Sequence, residues 1–282
     1  MNVADVMTPR EDVVTVEIPG TRDDVLEYLQ DRAFSSVPVV KQTDEGEVHR
    51  GIVSRDALID RPDEDQLALL AEEVATTTAD TSLAAVAELM VTEGERRVPV
   101  VDGGLEGIVT VTDLVRAVAG GDLAGETAVG ELASREVNTV YEGAPLPVAE
   151  RELSYAGVPY AVALDADGEM AGIITEVDII AVARVVEGEV DTGESIADDD
   201  DDWKWESLKA VGNSYMPTRN VEIPADPVSE FMTTSVVTVG TRRSAAEAAR
   251  LMLEHDIEQI PLVSGGELVG IVTDMDLLRA AV

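Results

Sequence analysis

The chain has no cysteine, only 3% aromatic residues and three lysines, Lys41, Lys204 and Lys209. The missing thiols exclude disulfides, thiol nucleophiles and thiolate metal sites together. A core so poor in aromatics must be built from Val, Ile, Leu, Ala and Met. At 45% hydrophobic residues over 282 positions there is material for about two ordinary domains, taking ~150 residues apiece. Long apolar runs are missing too, none approaching the ~20 residues of a membrane span. The opening stretch MNVADVMTPR lacks the basic-then-apolar layout of an export signal, so a cytoplasmic protein is expected.

Basic residues are scarce: 57 Asp and Glu stand against 20 Lys and Arg, a formal charge of −37. Such a surface repels itself, and repels nucleic acid at ordinary salt. Self-repulsion relaxes where salt is high, because the Debye length falls to about 3 Å at 1 M. The charge therefore reads as adaptation to a salt-accumulating, halophilic cytoplasm, and neither nucleic acid nor membrane is expected as a partner.

What is present is a pattern that occurs four times. An apolar run leads into a helix-periodic segment, then a short strand with a proline, a turn, and a strand ending in Gly-x-x-Thr or Gly-x-x-Ser. In the last copy these are SVVTV (235–239), SAAEAARLMLEH (244–255), IPLV (260–263), SGG (264–266) and LVGIVT (268–273). A capping box of Ser244 and Glu247 opens its helix. The second copy runs SLAAVAELM (82–90), VPVV (98–101), DGG (102–104) and LEGIVT (105–110). Its Leu83, Val86, Ala87 and Met90 fall at i, i+3, i+4 and i+7, which predicts one buried helical face. The first copy has VVTV (13–16), TRDDVLEYL (21–29), VPVV (37–40) and GIVS (51–54). The third has VNTV (137–140), PLPVAEREL (145–153), VPYAV (158–162) and GIIT (172–175). Turn residues between paired short apolar runs signal hairpins. Each copy is a β-α-β-β-α unit of about 55–60 residues, too small to bury a sizeable core alone, so the copies must pack in pairs. The expected fold is α/β, with repeats at 1–62, 63–122, 123–186 and 227–282 and an acidic insert at 187–226.

In three copies the threonine that closes the last strand is followed three residues later by aspartate: Thr110 and Asp113, Thr175 and Asp178, Thr273 and Asp276. Taken alone, this spacing is a capping box that starts the next helix with no ligand involved. The same geometry suits a ribonucleotide. A helix start offers free N–H groups and a positive dipole end for phosphate, and the hydroxyl adds a donor. An ionised carboxylate accepts from both hydroxyls of a ribose cis-diol. The two readings are compatible.

The strings IPLV…GIVTDMD, VPVV…GIVTVTD and VPYAV…GIITEVD resemble the cystathionine β-synthase (CBS) domain, and the resemblance covers nearly the whole chain outside about 187–226. It implies two pseudo-symmetric pairs of repeats that bind AMP, ADP, ATP or S-adenosylmethionine in clefts between repeats and associate further into dimeric discs. It assigns the phosphate-side hydroxyl to Thr110, Thr175 and Thr273 and the ribose-binding acid to Asp113, Asp178 and Asp276. The first copy departs from the pattern. GIVSRDAL puts Ser54 in the hydroxyl position, Ala57 where the acid belongs and Asp56 one residue early, a helical rotation of about 100°. That cleft is expected to be vacant or to hold something other than a ribonucleotide. Arg96 and Arg97 precede the second copy's strand, where similar sequences often turn a basic residue toward phosphate, and Arg97 joins the candidate set. The third and fourth copies have YAGVP and IEQIP there, which leans them toward a less anionic adenosine ligand.

The expected function is a non-catalytic regulatory module that changes the angle of its paired repeats on binding a ligand and passes that change to an unidentified partner. The alternative is a scaffold whose clefts are degenerate, for which Ala57 speaks. His49 and His255 stand in unrelated places and give no material for a metal cluster or a triad. GGDLAGET (120–127) mimics phosphate-loop spacing, but Glu126 stands where lysine is required. In the insert, Asp198 to Asp202 read as a solvated loop, and Trp203 and Trp205 are expected to dock on the body of the protein. WESLKAV is expected as a short helix and YMPTRNVEIP as an extended stretch.

Overall fold

Short apolar runs bounded by turn residues give strands that cannot stand alone; the first, third and fourth copies each close three of their own into one small sheet, and the second completes its sheet with a strand from the first. The computed structural model describes residues 1–31, 36–44, 46–54, 57–58, 61, 64–182, 184–188 and 218–282. The first copy contains β1 (Thr8–Pro9), β2 (Val16–Glu17), α1 (Arg22–Asp31), β3 (Ser36–Thr43) and β4 (Gly46–Ser54). The second contains α2 (Leu67–Leu70), α3 (Leu83–Glu93), β5 (Arg97–Asp102), β6 (Gly104–Thr110) and α4 (Val111–Gly120). The third contains α5 (Val129–Leu132), β7 (Thr139–Tyr141), α6 (Leu146–Ala156), β8 (Tyr160–Leu164), β9 (Met170–Thr175) and α7 (Glu176–Val182). An antiparallel pair follows, β10 (Arg184–Gly188) with β11 (Thr218–Glu222), the latter within the expected extended stretch. The fourth copy contains β12 (Val239–Gly240), α8 (Ala245–His255), β13 (Gln259–Ser264), β14 (Glu267–Thr273) and α9 (Asp274–Leu278). Trp203, Trp205, the acidic run and WESLKAV lie outside the described residues.

The amphipathic signals hold where they are strongest. On α3, Leu83, Val86, Ala87 and Met90 are all buried, and Ser244 and Glu247 form the reciprocal capping box of α8. The leading strands β2, β7 and β12 are shorter than VVTV, VNTV and SVVTV predict, pairing only alongside the bulge of the middle strand. That bulge recurs in every copy, directly after the residue paired with the motif glycine: Val39 with Gly51, Val100 with Gly107, Ala163 with Gly172, Leu262 with Gly270. The recurrence corrects the third copy. Its middle strand is Tyr160–Leu164 rather than VPYAV, and Val162 stands where the second copy has Pro99. Pro159 precedes the strand, its carbonyl accepting from Glu176 N–H as Arg96 O accepts from Val111 and Glu258 O from Asp274.

Each copy lends its opening turn to a neighbour. Val3, from the first copy, is buried among second-copy residues such as Val86 and Leu114, and Leu67, from the second, among first-copy residues such as Val39 and Val53. Val129, opening the third copy, joins the same core as fourth-copy residues, and Val228, opening the fourth, joins third-copy residues. All four are fully buried. After each turn the chain runs antiparallel to the recipient's last strand: Thr8 beside Ile108, Glu72 beside Ile52, Ser134 beside Ile271, Thr233 beside Ile173. This explains the glycine of Gly-x-x-Thr. A Cβ on Gly51, Gly107, Gly172 or Gly270 would come within 3 Å of a carbonyl oxygen of the donated segment. Only glycine lets two backbones approach so closely.

The described chain divides into two compact units. The first, Met1–Glu136 with Val237–Val282, holds the first, second and fourth copies. Within it α3 and α4 pack against α8 and α9, and one aliphatic core joins the second and fourth copies, with Ala245, Ala248 and Ala249 permitting close helix approach. The sequence pairs neighbours along the chain and does not anticipate this shared core. GGDLAGET lies in the same unit and has a structural job: the carbonyls of Gly125 and Thr127 accept from Ala246 and Ala245 N–H at the start of α8. The second unit, Val137–Val236, holds the third copy around Leu146, Leu153 and Ile174.

Candidate functional site

The buried polar side chains among the described residues are Thr77, Asp113, Asp274 and Asp276, so three of them are acids at helix starts. Burying a carboxylate is costly unless it is hydrogen-bonded or paired, and here each is. Asp113 Oδ2 accepts from Thr110 N at 2.9 Å and from Thr110 Oγ1 at 2.8 Å. Asp276 Oδ2 accepts from Thr273 N and Oγ1, both at 2.9 Å. Asp178 Oδ2 accepts from Thr175 N at 2.9 Å and Oγ1 at 2.7 Å. The strand ends at threonine, the helix begins one residue later, and the acid reaches back across one turn, so three copies build the same threonine-to-carboxylate box.

The other carboxylate oxygen separates them. Asp113 Oδ1 takes Arg116 Nη1 at 2.7 Å and Asp276 Oδ1 takes Arg279 Nη1 at 2.6 Å. Asp178 Oδ1 has no partner among the described residues, and the residue three further on is Ala181. The threonine hydroxyls, expected to serve phosphate, donate to the carboxylates in all three boxes. In the first copy Ser54 Oγ accepts from Ala57 N–H at 3.1 Å, with Ala57 in the acid's place, and Asp56 lies outside the described residues.

Register sorts the two arginines that the sequence left side by side. Directly opposed residues of an antiparallel pair present their side chains on the same face. Arg97 is opposite Thr110, as Tyr160 is opposite Thr175, Gln259 opposite Thr273 and Ser36 opposite Ser54. Arg96 is committed elsewhere. It forms a two-pronged pair with Asp274 at 2.9 and 2.6 Å and reaches Glu258 at 3.0 Å, linking the second copy to the fourth. Burial pushes the Asp274 carboxyl above its usual range, against the pull of Arg96. Burial likewise holds the His49 imidazole below its ordinary value. Among the described residues no group of three or more His, Asp or Glu could hold a metal ion, and no helix is long and apolar enough to cross a membrane.

A family model described as the CBS domain matches residues 3–64, 68–120, 129–184 and 228–282. The chain belongs to the CBS-domain family, with four copies of the domain. It is similar to the uncharacterized protein MJ1404 of Methanocaldococcus jannaschii, 29% identical over 280 residues, which are 98% of this chain and 61% of that protein. The chain thus spans about three-fifths of that relative's length. Among solved structures it resembles a conserved protein from Pyrococcus horikoshii, at a TM-score of 0.70 and 26% identity over the full length of both chains. Protein MJ1225 of Methanocaldococcus jannaschii shares the fold at a TM-score of 0.71 and 20% identity, with 99% of each chain covered.

Proposed function

We propose that the protein is a non-catalytic regulatory module that binds adenosine-containing ligands, AMP, ADP, ATP or S-adenosylmethionine, through Asp113, Asp178 and Asp276. The first copy carries this reading. Its sheet forms and Ser54 still caps the following turn, yet Ala57 replaces the acid. The repeat therefore folds without the carboxylate, and capping alone does not account for its presence in the other three.

An ionised carboxylate has about four lone-pair sites, of which Thr N–H and O–H use two. A ribose diol offers two further donors to the rest. As sugar hydroxyls engage the acid, the threonine hydroxyl becomes free to turn toward a phosphate at the N–H-rich start of α4. Arg97, opposite Thr110, fits the second copy to the most anionic ligand; Tyr160 and Gln259 fit the third and fourth to less charged ones. Only a difference in ligand affinity between two arrangements of the repeats can act on a partner. The same reading takes the protein as a homodimer in the cytoplasm, and the charge of −37 supports a halophilic source.

Thermal melts at high salt with AMP, ATP, S-adenosylmethionine and NAD, with and without magnesium, test it. A ligand at 100 times its Kd should add about 2.7 kcal/mol of stability. No shift with any of them favours a scaffold with degenerate clefts, the reading toward which Ala57 also points.

A further inference from the structure

We infer that Arg116 and Arg279 guard the second and fourth boxes, so that a ribose must displace a guanidinium there but meets none from the corresponding position, Ala181, at the third box. This rests on the ribonucleotide reading and adds which residues set the order of filling. In each guarded box Oδ2 is already saturated by two donors from threonine, which leaves Oδ1 as the free face of the acid. In both, that face is covered by the arginine three residues on, at 2.7 and 2.6 Å. The acid side chains are only 11% and 10% exposed whereas the arginines are 61% and 57% exposed, so each guanidinium is a lid reached from solvent rather than part of the core. Asp113 and Arg116 both line an open hollow beside Met1 and Asp5, so moving Arg116 aside opens the acid to that hollow. In the third copy Ala181 occupies the arginine's place and is itself exposed.

With its guanidinium largely in solvent, each pair is a weak competitor, so the guard tunes affinity without abolishing it. Calorimetry with adenosine, which carries no phosphate to attract an arginine, reads the guard alone. It is best done on full chains left with a single box by Asp→Ala in the other two. Arg116→Ala and Arg279→Ala should each tighten adenosine about two- to five-fold at their own box, and Ala181→Arg should weaken it by a similar factor at the third. Unchanged or weaker binding in the arginine variants, or unchanged binding in Ala181→Arg, overturns the guard while leaving the ribonucleotide reading in place. If adenosine binds neither the parent nor any variant, the ribonucleotide reading falls and the guard with it.

Discussion

The first and second copies share a unit, a bulged hairpin and an exchange of opening turns, and differ most tellingly in the residue three after the hydroxyl, Ala57 in one and Asp113 in the other. Both have the glycine pressed against a donated backbone, the buried lead residue from the neighbour and a hydroxyl whose oxygen closes the last strand. The second pairs Asp113 with Arg116 at the helix start, where the sequence of the first has Ala57 in the acid's place. What the two share is what the fold requires, and what the second adds is not needed for folding. The same comparison, run between the second copy and the third, subtracts the guanidinium and leaves the box.

The harshest way to break the comparison is to attack what the copies share. Gly107→Val should lower the unfolding free energy by about 3 kcal/mol, because its Cβ meets the Thr8 carbonyl. Gly240→Ala, where a Cβ meets nothing within 4 Å, should change it by less than ~0.5 kcal/mol in the same denaturant titrations.

Next comes Arg96→Met, which strands the buried Asp274. We expect a loss of about 2 kcal/mol, below the full cost of breaking a buried pair because Arg96 is 38% exposed. A carboxyl raised in the folded state favours folding below its unfolded value and loses that contribution as pH climbs through the folded one. Removing Arg96 raises Asp274 further, so the deficit relative to the parent should shrink on acidification to about pH 4 and be largest at neutral pH. A deficit that grows in acid would contradict the pairing.

Smaller effects sharpen the comparison. Asp276→Ala and Asp178→Ala should each abolish one adenosine site while costing about 1 kcal/mol of cap stability, and Asp56→Ala should leave binding intact; equal effects of all three on calorimetric binding would undo the assignment. Ala57→Asp is the gentlest. It should shift stability by less than ~1 kcal/mol and add one calorimetric site, since Ser54 is already in the hydroxyl position.

Elements with a full amphipathic or hairpin signature were legible. The buried face of α3, the box on α8 and the three Thr/Asp spacings follow from periods and caps that act over four residues or fewer. The third copy misled because a proline three residues early mimics the strand of its siblings, and only ladder register reveals the offset. The donated turns left a faint trace: VADVMTP (3–9) and VSEFMTT (228–234) share Val-x-x-apolar-Met-Thr. One turn is too short for any period to mark it, and nothing local says whose core it enters. Arg96 and Asp274 are 178 residues apart, so charge composition alone could not couple them.

Donated turns also bear on how such a chain could be dissected or have arisen. A fragment trimmed to begin at residue 10 would discard only first-copy sequence, yet the vacancy would open where Val3 sits, inside the second copy. Pieces that travel between genes would keep their interiors only if moved in adjoining couples. Duplication or deletion of a lone copy should leave a hole in one survivor and an orphaned hydrophobic turn on another.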